Sequence, residues 1–289
     1  MKIQLRKCLL LLVLLGPVIM GRSQTPTLSC TPQDREIFGE LMEDLQAVQP
    51  TTMGETVVAT GTRFLGTPYV ASTLEREGQE KLVVNLRGFD CTTFVENVLA
   101  ISCLKYGGKQ DWESFLQTLE RIRYRQGRLE GYTSRLHYFT DWIRDNQEKG
   151  LIKDITPQIG GDSLVKEINF MGTHPKLYAA LGREDHLEEI RNIEAALSSN
   201  PLFVLPSEAV AGQEHSIQDG DIIALATDIQ GLDVTHTGIA LTGSDGRIHL
   251  LHASTEGTVM ISKEPLSEYL KKISRNTGII VVRPLQPDR

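Results

Sequence analysis

The segment NLRGFDCTTFVENVLAIS, residues 85–102, places a cysteine between a turn and a helix. A turn-like Gly-Phe-Asp precedes Cys91, and the apolar residues after it recur at three- and four-residue spacings. This spacing predicts a helix from Thr92 to Tyr106 with Asp90 as its N-cap. A thiol at a helix start lies close to free amide N–H groups, which favour its ionised form. Cys91 is therefore a candidate nucleophile.

Helical periodicity extends on both sides of this segment. It is found in residues 32–66, which Pro50 divides into two amphipathic helices, and in residues 111–127, 134–150 and 186–199. Ser134 is the predicted N-cap of the helix in residues 134–150. Glycines at 107–108 are expected to end the helix that starts beside Cys91.

The last third of the chain has a different period. Short runs rich in β-branched residues occur at 220–227, 235–242, 247–254, 258–262 and 277–285. Between two of them, Gly-Ser-Asp-Gly at 243–246 is typical of a hairpin turn. Helices followed by strands predict an α+β domain with an antiparallel sheet in its C-terminal half.

Composition and the N-terminus limit the class of protein. The 289 residues carry a net charge of -7 and no large Lys/Arg cluster, which argues against nucleic acid as a partner. Residues 1–23 have the basic start, apolar run and small residues of a secretory signal peptide. The apolar run is shorter than the roughly 20 residues that span a bilayer, so stable membrane insertion is not expected. Residues 24–289 are predicted to form a single, monomeric domain that works in the periplasm or outside the cell.

The cysteine count leaves one thiol that no intramolecular bridge can use. Cleavage of the signal peptide would leave Cys30, Cys91 and Cys103, an odd number. A disulfide between Cys30 and Cys103 is possible, or Cys103 is a buried small hydrophobic residue in its apolar run. In either case Cys91 stays free, in a compartment where a free thiol is unusual.

Two histidines in the predicted sheet are candidates for the base. Strand alternation puts His252 on one face of its strand and His249 on the other. His236 opens the preceding strand, and a hairpin centred on the turn at 243–246 brings it within one residue of direct register with His252. We therefore expect His236 and His252 to lie side by side, with one imidazole orienting the other.

Tyr69 is a further candidate because its phenol can donate a hydrogen bond. Near the thiol, this group and the Cys91 backbone N–H can stabilise a tetrahedral oxyanion. The alternative is that Tyr69, which follows Pro68 in a turn, only packs against the core.

Five blocks of sequence resemble the NlpC family of papain-like bacterial cell-wall hydrolases. They occur in the family's order and are FLGTPYV (64–70), GFDCTTFVENV (88–98), IQDGDIIAL (217–225), HTGIAL (236–241) and LHASTEGTVMIS (251–262). The resemblance implies a papain-like core that needs no cofactor and no metal. It also implies Cys91 as nucleophile, His236 as base, His252 as the residue that orients His236, and Tyr69 on the oxyanion side.

A long insertion separates this chain from the common form of that family. The common form has Ser-Gly where this chain has Thr92 and Thr93, and far fewer residues between the cysteine and the first histidine. The extra residues, about 110–205, are expected to form a helical insert. In this respect the chain resembles the N-acetylmuramoyl-L-alanine amidase-like branch of the superfamily. That resemblance implies cleavage of the amide between muramic acid and the L-alanine of a peptidoglycan stem peptide.

Four residues are candidates for binding that substrate. Arg135 and His137, in the predicted helix 134–150, can present a cation and a hydrogen-bond donor to a stem-peptide carboxylate, or can form a solvated helix face. Glu96 can contact a substrate amine or cap a neighbouring loop. Thr93, beside the cysteine, is the fourth candidate.

Three other functions are compatible with parts of this pattern. The first is a γ-D-glutamyl-diamino acid endopeptidase, which would use the same catalytic residues. For either enzyme the substrate can be intact peptidoglycan or released muropeptides. The second is a zinc hydrolase with Cys91, His236 and His252 as ligands, although no HExxH motif is present. The third is a wall-binding module without catalysis, in which the Cys-His-His set would have no purpose.

Overall fold

The computed structural model describes residues 27–76, 78–106 and 109–287, and this part of the chain mixes helices with a large sheet. The predicted signal peptide at 1–23 and the predicted helix end at 107–108 lie outside the described residues. The helices are α1 Pro32–Ala47, α2 Met53–Thr62, α3 Cys91–Tyr106, α4 Trp112–Arg123, α5 Phe139–Glu148, α6 Phe170–Thr173, α7 Glu184–Ser198, α8 Ser207–Gln213 and α9 Leu266–Lys272.

The strands fall into a small parallel pair and one large sheet. They are β1 Leu28–Ser29, β2 Leu82–Val83, β3 Ile152–Asp154, β4 Asp162–Leu164, β5 Leu202–Pro206, β6 Ile222–Thr227, β7 Val234–Thr242, β8 Ile248–Ala253, β9 Val259–Ile261 and β10 Asn276–Pro284. The large sheet has the order β4-β5-β10-β6-β7-β8-β9, with β3 also paired to β10, and all of these pairs are antiparallel. The predicted α+β class and antiparallel sheet are confirmed, and the segment expected to form a helical insert also contributes β3, β4 and most of β5 to the sheet.

Each face of the sheet packs on its own layer of helices. Ile239 of β7 and Leu251 of β8 belong to the larger core, which α1 to α4 cover. Their neighbours Ala240 and Leu250 belong to a second core under α8 and α9. Because side chains alternate along a strand, both faces of these central strands are apolar, as a sheet covered on both sides requires.

Helix α3 is the centre of the larger core. Every residue from Thr93 to Leu104 is buried, so the helix is surrounded on all sides and not only along one stripe. Its first residue is Cys91, one position earlier than predicted. The cysteine is thus fixed by the most buried helix of the fold.

The prediction of a helix capped by Ser134 is wrong. Residues 132–134 form a single 3-10 turn, and α5 begins only at Phe139. Arg135 pairs with Tyr124 as an isolated antiparallel bridge, so the backbone between turn and helix is extended. This extended backbone allows the guanidinium of Arg135 to reach carboxylates outside its own segment, as described below.

The β7–β8 hairpin has a register one step from the predicted one. Ile239 pairs with Leu251, so Gly238 lies opposite His252. The cause is a loop in which Gly246 adopts φ 75°, a left-handed conformation that lengthens the connection. A Cβ atom at Gly238 would lie 2.7 Å from Leu250 Cδ1 and 3.0 Å from His252 Cβ, so only glycine leaves room for these two side chains.

Candidate active site

A cavity of about 240 Å³ lies where the start of α3 meets the start of β7. One side is lined by Cys91 and Thr92 of α3 and by His236 and Thr237 of β7. The opposite side comes from the predicted insert and includes Arg135, His137, Met171 and Tyr178, which are joined by Glu75 from the loop before β2. The sheet, the central helix and the insert therefore all contribute to one cavity.

The start of α3 is fixed by the predicted cap. Asp90 Oδ1 accepts hydrogen bonds from the Thr93 N–H at 2.8 Å and from the Thr93 hydroxyl at 2.7 Å, while the Asp90 N–H donates to Thr93 Oγ1 at 3.0 Å. The N–H groups of Cys91 and Thr92, in the first turn, have no acceptor within the helix. They are therefore available to an anion that forms beside the sulfur.

The environment of Cys91 favours the neutral thiol in the resting protein. Burial raises its pKa, and the carboxylate of Asp90 raises it further. The backbone N–H and hydroxyl of Thr237 and the hydroxyl of Thr92 lie near the sulfur and lower the pKa of Cys91 in part. The Cys91 thiol therefore keeps its proton at neutral pH.

His236 and His252 form a hydrogen-bonded pair, as the sequence predicts. His236 Nε2 lies 2.7 Å from His252 Nδ1, and the two rings are nearly perpendicular at 84°. Burial lowers the pKa of His236 to about 3, with a further contribution from His252, and lowers that of His252 to about 4. Both imidazoles are consequently neutral at neutral pH.

This pairing engages Nε2 of His236 and leaves its Nδ1 outside the contact with His252. When His236 Nε2 carries the proton and donates it to His252 Nδ1, His236 Nδ1 is an unprotonated acceptor. His236 and Cys91 line the same cavity. Because His236 Nε2 and His252 Nδ1 point at each other, these two nitrogens do not point together at a common metal ion.

Tyr69 lies beside the chain that enters α3. It pairs with Phe89 as an isolated parallel bridge, and its N–H donates to the Gly257 carbonyl at 2.7 Å. Burial raises the pKa of the phenol, and the charges of Cys91 and Asp90 add to that rise. Tyr69 is therefore close enough to Cys91 for the negative charge of an ionised thiol to act on its phenol, although Tyr69 does not line the cavity.

Arg135 and His137 line the cavity from an extended segment. Arg135 is 4% exposed, and its Nη2 donates to Glu75 Oε1 at 2.7 Å, while its Nε lies 3.4 Å from Glu80 Oε1. His137 Nε2 donates to the Tyr132 carbonyl at 2.9 Å. Burial and the charge of Arg135 keep the pKa of His137 well below its usual value. Neutral His137 thus presents an acceptor, Nδ1, and not the expected donor.

The two remaining predicted binding residues are engaged within the protein. The hydroxyl of Thr93 belongs to the Asp90 cap, and Thr93 does not line the cavity. Glu96 lines it, but its Oε2 accepts from Arg123 Nε at 2.6 Å and both side chains are buried. Substrate binding by Thr93 and Glu96 stays a prediction.

The sequence did not point to two residues at this site. Thr237 follows His236 directly, and strand alternation alone places it on the face toward α3. Tyr269 of α9 packs its ring edge against His252, with centroids 5.4 Å apart. No periodicity or motif links α9 to His236 and His252, so only the folded chain identifies Tyr269.

Further properties bear on the other predictions. The sulfurs of Cys30, Cys91 and Cys103 are free thiols, so the possible bridge between Cys30 and Cys103 is not formed. Within the described ranges, no group of three or more His, Cys, Asp or Glu side chains is arranged to hold a metal ion. In the same part of the chain, no helix combines the length and the apolar character needed to cross a membrane.

The chain is similar to N-acetylmuramoyl-L-alanine amidases. A family model described as AmiA-like, N-acetylmuramoyl-L-alanine amidase-like, matches residues 59–279. The crystal structure of an N-acetylmuramoyl-L-alanine amidase from Bacteroides uniformis is 41% identical, covers 81% of this chain and 99% of its own, and has a TM-score of 0.77. A Bacteroides fragilis structure named as a xylanase candidate is also 41% identical, covers 77% and 98%, and has a TM-score of 0.73.

A more distant structure shares the fold. Protein LPG0564 of Legionella pneumophila is 22% identical, covers 88% of this chain and 95% of its own, and has a TM-score of 0.67. A comparison with curated proteins gives no significant match.

Proposed function

This chain belongs to the AmiA-like, N-acetylmuramoyl-L-alanine amidase-like family, and we propose that it is a cysteine-dependent amidase of peptidoglycan. The bond cleaved is the amide between the lactyl group of muramic acid and the L-alanine of the stem peptide. One observation carries the proposal. Cys91 at the start of α3 shares a cavity with His236, whose Nε2 is held by His252 at 2.7 Å.

The first half of the reaction forms a thioester. Cys91 Sγ attacks the lactyl carbonyl carbon while its proton moves to His236 Nδ1, which then protonates the nitrogen of the leaving L-alanine. The Cys91 N–H and the Tyr69 phenol donate to the oxyanion that forms on the carbonyl oxygen. His252 keeps His236 in the tautomer that can accept the proton.

The second half of the reaction uses the same base. A water molecule gives a proton to His236 Nδ1 and attacks the thioester carbonyl. The carbon–sulfur bond then breaks, and the proton returns to the Cys91 sulfur. This cycle needs no redox partner and no cofactor, because His236 passes the Cys91 proton to the leaving amine and a proton of water back to the sulfur.

The insert side of the cavity binds the stem peptide in this proposal. Arg135 attracts a carboxylate of the stem peptide, in competition with Glu75, and His137 Nδ1 accepts a hydrogen bond from a peptide N–H. Glu96 and Thr93 hold the wall and the helix start in place. The peptide therefore lies toward the insert, and the sugar lies toward Tyr69.

The remaining expectations follow from sequence and complete the proposal. We assign the chain a papain-like core of the NlpC type that spans residues 24–289 as one domain, with the insert at about 110–205. It acts as a monomer in the periplasm or outside the cell after cleavage at about residue 23.

The test is mass spectrometry of a defined disaccharide-tetrapeptide after incubation with the mature protein. We expect release of free disaccharide and a tetrapeptide that begins with L-alanine. Cys91→Ala should abolish release, and Cys30→Ala, which removes a thiol outside the cavity, should not. A sugar that retains L-Ala-γ-D-Glu would instead establish the endopeptidase, and cleavage by Cys91→Ala would disprove the cysteine mechanism.

A further inference from the structure

The hydroxyl of Thr237 is buried without a partner. Thr237 is 1% exposed, and its Oγ1 has no hydrogen-bond partner among the described residues. The other buried threonines in the described part of the chain all have a hydrogen-bond partner. Thr60 Oγ1 donates to the Thr56 carbonyl at 2.8 Å, and Thr140 Oγ1 donates to Asp233 Oδ2 at 2.9 Å. An unpaired buried hydroxyl is costly, so its presence calls for a role.

The position of this hydroxyl is set by strand β7. Thr237 pairs with Ala224, whose side chain lies in the core around α3, and Ile239 lies in the same core. His236, one residue earlier, pairs with Leu225 of the opposite core. Thr237 therefore lies on the face of β7 toward α3 and Cys91. His236 lies on the other face of the strand, and both residues line the cavity.

We propose that Thr237 Oγ1 is the hydrogen-bond donor that stabilises the Cys91 thiolate when the thiol proton moves to His236. Thr237 lines the same cavity as Cys91, and its hydroxyl has no acceptor among the described residues, so its proton is free to turn toward the new anion. The covalent step is unchanged: the S–H bond breaks, the proton binds His236 Nδ1, and the electron pair stays on sulfur.

The charges around the sulfur explain why such a donor is needed. Asp90 carries a negative charge next to the nucleophile, and His236 is neutral at rest, so no resting ion pair stabilises a thiolate. Arg135 lies across the cavity but is engaged by Glu75 and Glu80. Neutral donors must then stabilise the anion, and a hydrogen bond to a charged group is stronger than one between neutral groups.

The experiment measures the alkylation of Cys91 by iodoacetamide without any cell-wall substrate. The rate at Cys91 is followed by peptide mass spectrometry from about pH 5 to about pH 10. Thr237→Val removes the hydroxyl at nearly constant shape, and Thr237→Ser keeps it. Thr242→Val on the same strand, whose hydroxyl bonds Asp219 on the protein surface, is the matched control.

We expect Thr237→Val to move the midpoint of the alkylation profile up by about one pH unit and to slow alkylation at neutral pH about tenfold. Thr237→Ser and Thr242→Val should resemble the wild type. If Thr237→Val does not fold, Thr237→Ala against Thr237→Ser isolates the hydroxyl in the same way. An unchanged profile in the variant without the hydroxyl overturns the proposal.

This inference rests on the proposed role of Cys91 as nucleophile, but its test can fail separately. A wild-type protein that cleaves the muropeptide while Thr237→Val leaves the alkylation profile unchanged would refute only the role of Thr237. A shifted profile in a protein that cleaves no muropeptide would refute the proposed amidase and leave the thiolate donor in place.

Discussion

The two sides of the cavity are built from different kinds of structure. The helix–strand wall, formed by Cys91, Thr92, His236 and Thr237, consists of a buried helix start and a central strand. The insert wall, formed by Arg135, His137, Met171 and Tyr178 together with Glu75, is mainly irregular chain. Backbone hydrogen bonds fix the first wall, and partly buried ion pairs such as Arg135–Glu75 fix the second.

The difference separates two requirements of an enzyme. Proton transfer needs atoms held within a few tenths of an ångström, which regular elements provide. Substrate choice needs a surface whose shape and charge can differ between relatives, which irregular chain on a rigid scaffold provides. We therefore expect changes in the helix–strand wall to affect turnover and changes in the insert wall to affect binding and stability.

The largest effect is expected for His236→Ala. Loss of the base should lower kcat/KM about a thousandfold or more, because neither the thiol nor the leaving amine can exchange its proton. The Tm should change little, since the ring lies at the cavity and not in the core. Muropeptide cleavage and thermal unfolding check the two statements, with His215→Gln on the surface as control. Substantial residual turnover would mean that another group is the base.

A smaller effect, of a different kind, is expected for Arg135→Gln. The change leaves the carboxylates of Glu75 and Glu80 without their cation, which should cost about 3 kcal/mol and lower the Tm by about 10 °C. KM should rise about tenfold with a smaller change in kcat. Arg128→Gln, an exposed arginine of the same region, is the matched control. If kcat fell as far as in His236→Ala, the two walls would not be functionally distinct.

The smallest effect is expected for His252→Gln, in the loss of folding stability at acid pH. Folded His236 and His252 have pKa values of about 3 and about 4, below the ordinary 6.5, so the unfolded chain binds their protons first. Their contribution to the free energy of unfolding is complete above 6.5 and is lost as the pH falls toward 3. Urea unfolding at several pH values should therefore show a shallower acid decline for His252→Gln than for wild type. An identical decline would show that His252 is not held neutral.

The sequence predicts the helix–strand wall better than the insert wall, for a physical reason. The helix at Cys91, its Asp90 cap and the strand carrying His236 follow from periodicity within about ten residues. The error at Ser134 arises from distant partners, because Arg135 is drawn into extended backbone by Tyr124 and by carboxylates that lie far away in the sequence. Short-range patterns do not contain such contacts.

Within the site, the same limit separates what the sequence predicts from what only the fold reveals. The neighbourhood of His236 and His252 follows from the hairpin, although the register is one step off because Gly246 lengthens the turn. The unpaired hydroxyl of Thr237 and the ring of Tyr269 against His252 depend on how separate elements pack. Alternation gives the face on which a side chain lies, but not whether it finds a partner there.

Gly238 limits which positions can be varied when this protein is engineered. The pair of imidazoles depends on a space that one strand leaves empty, since even a methyl group there would meet Leu250 and His252. A position with no reactive atom therefore belongs to the site as fully as the residues that we propose to move protons. Libraries that aim to change substrate preference can vary the insert wall, but they should hold residue 238 constant together with Cys91 and His236.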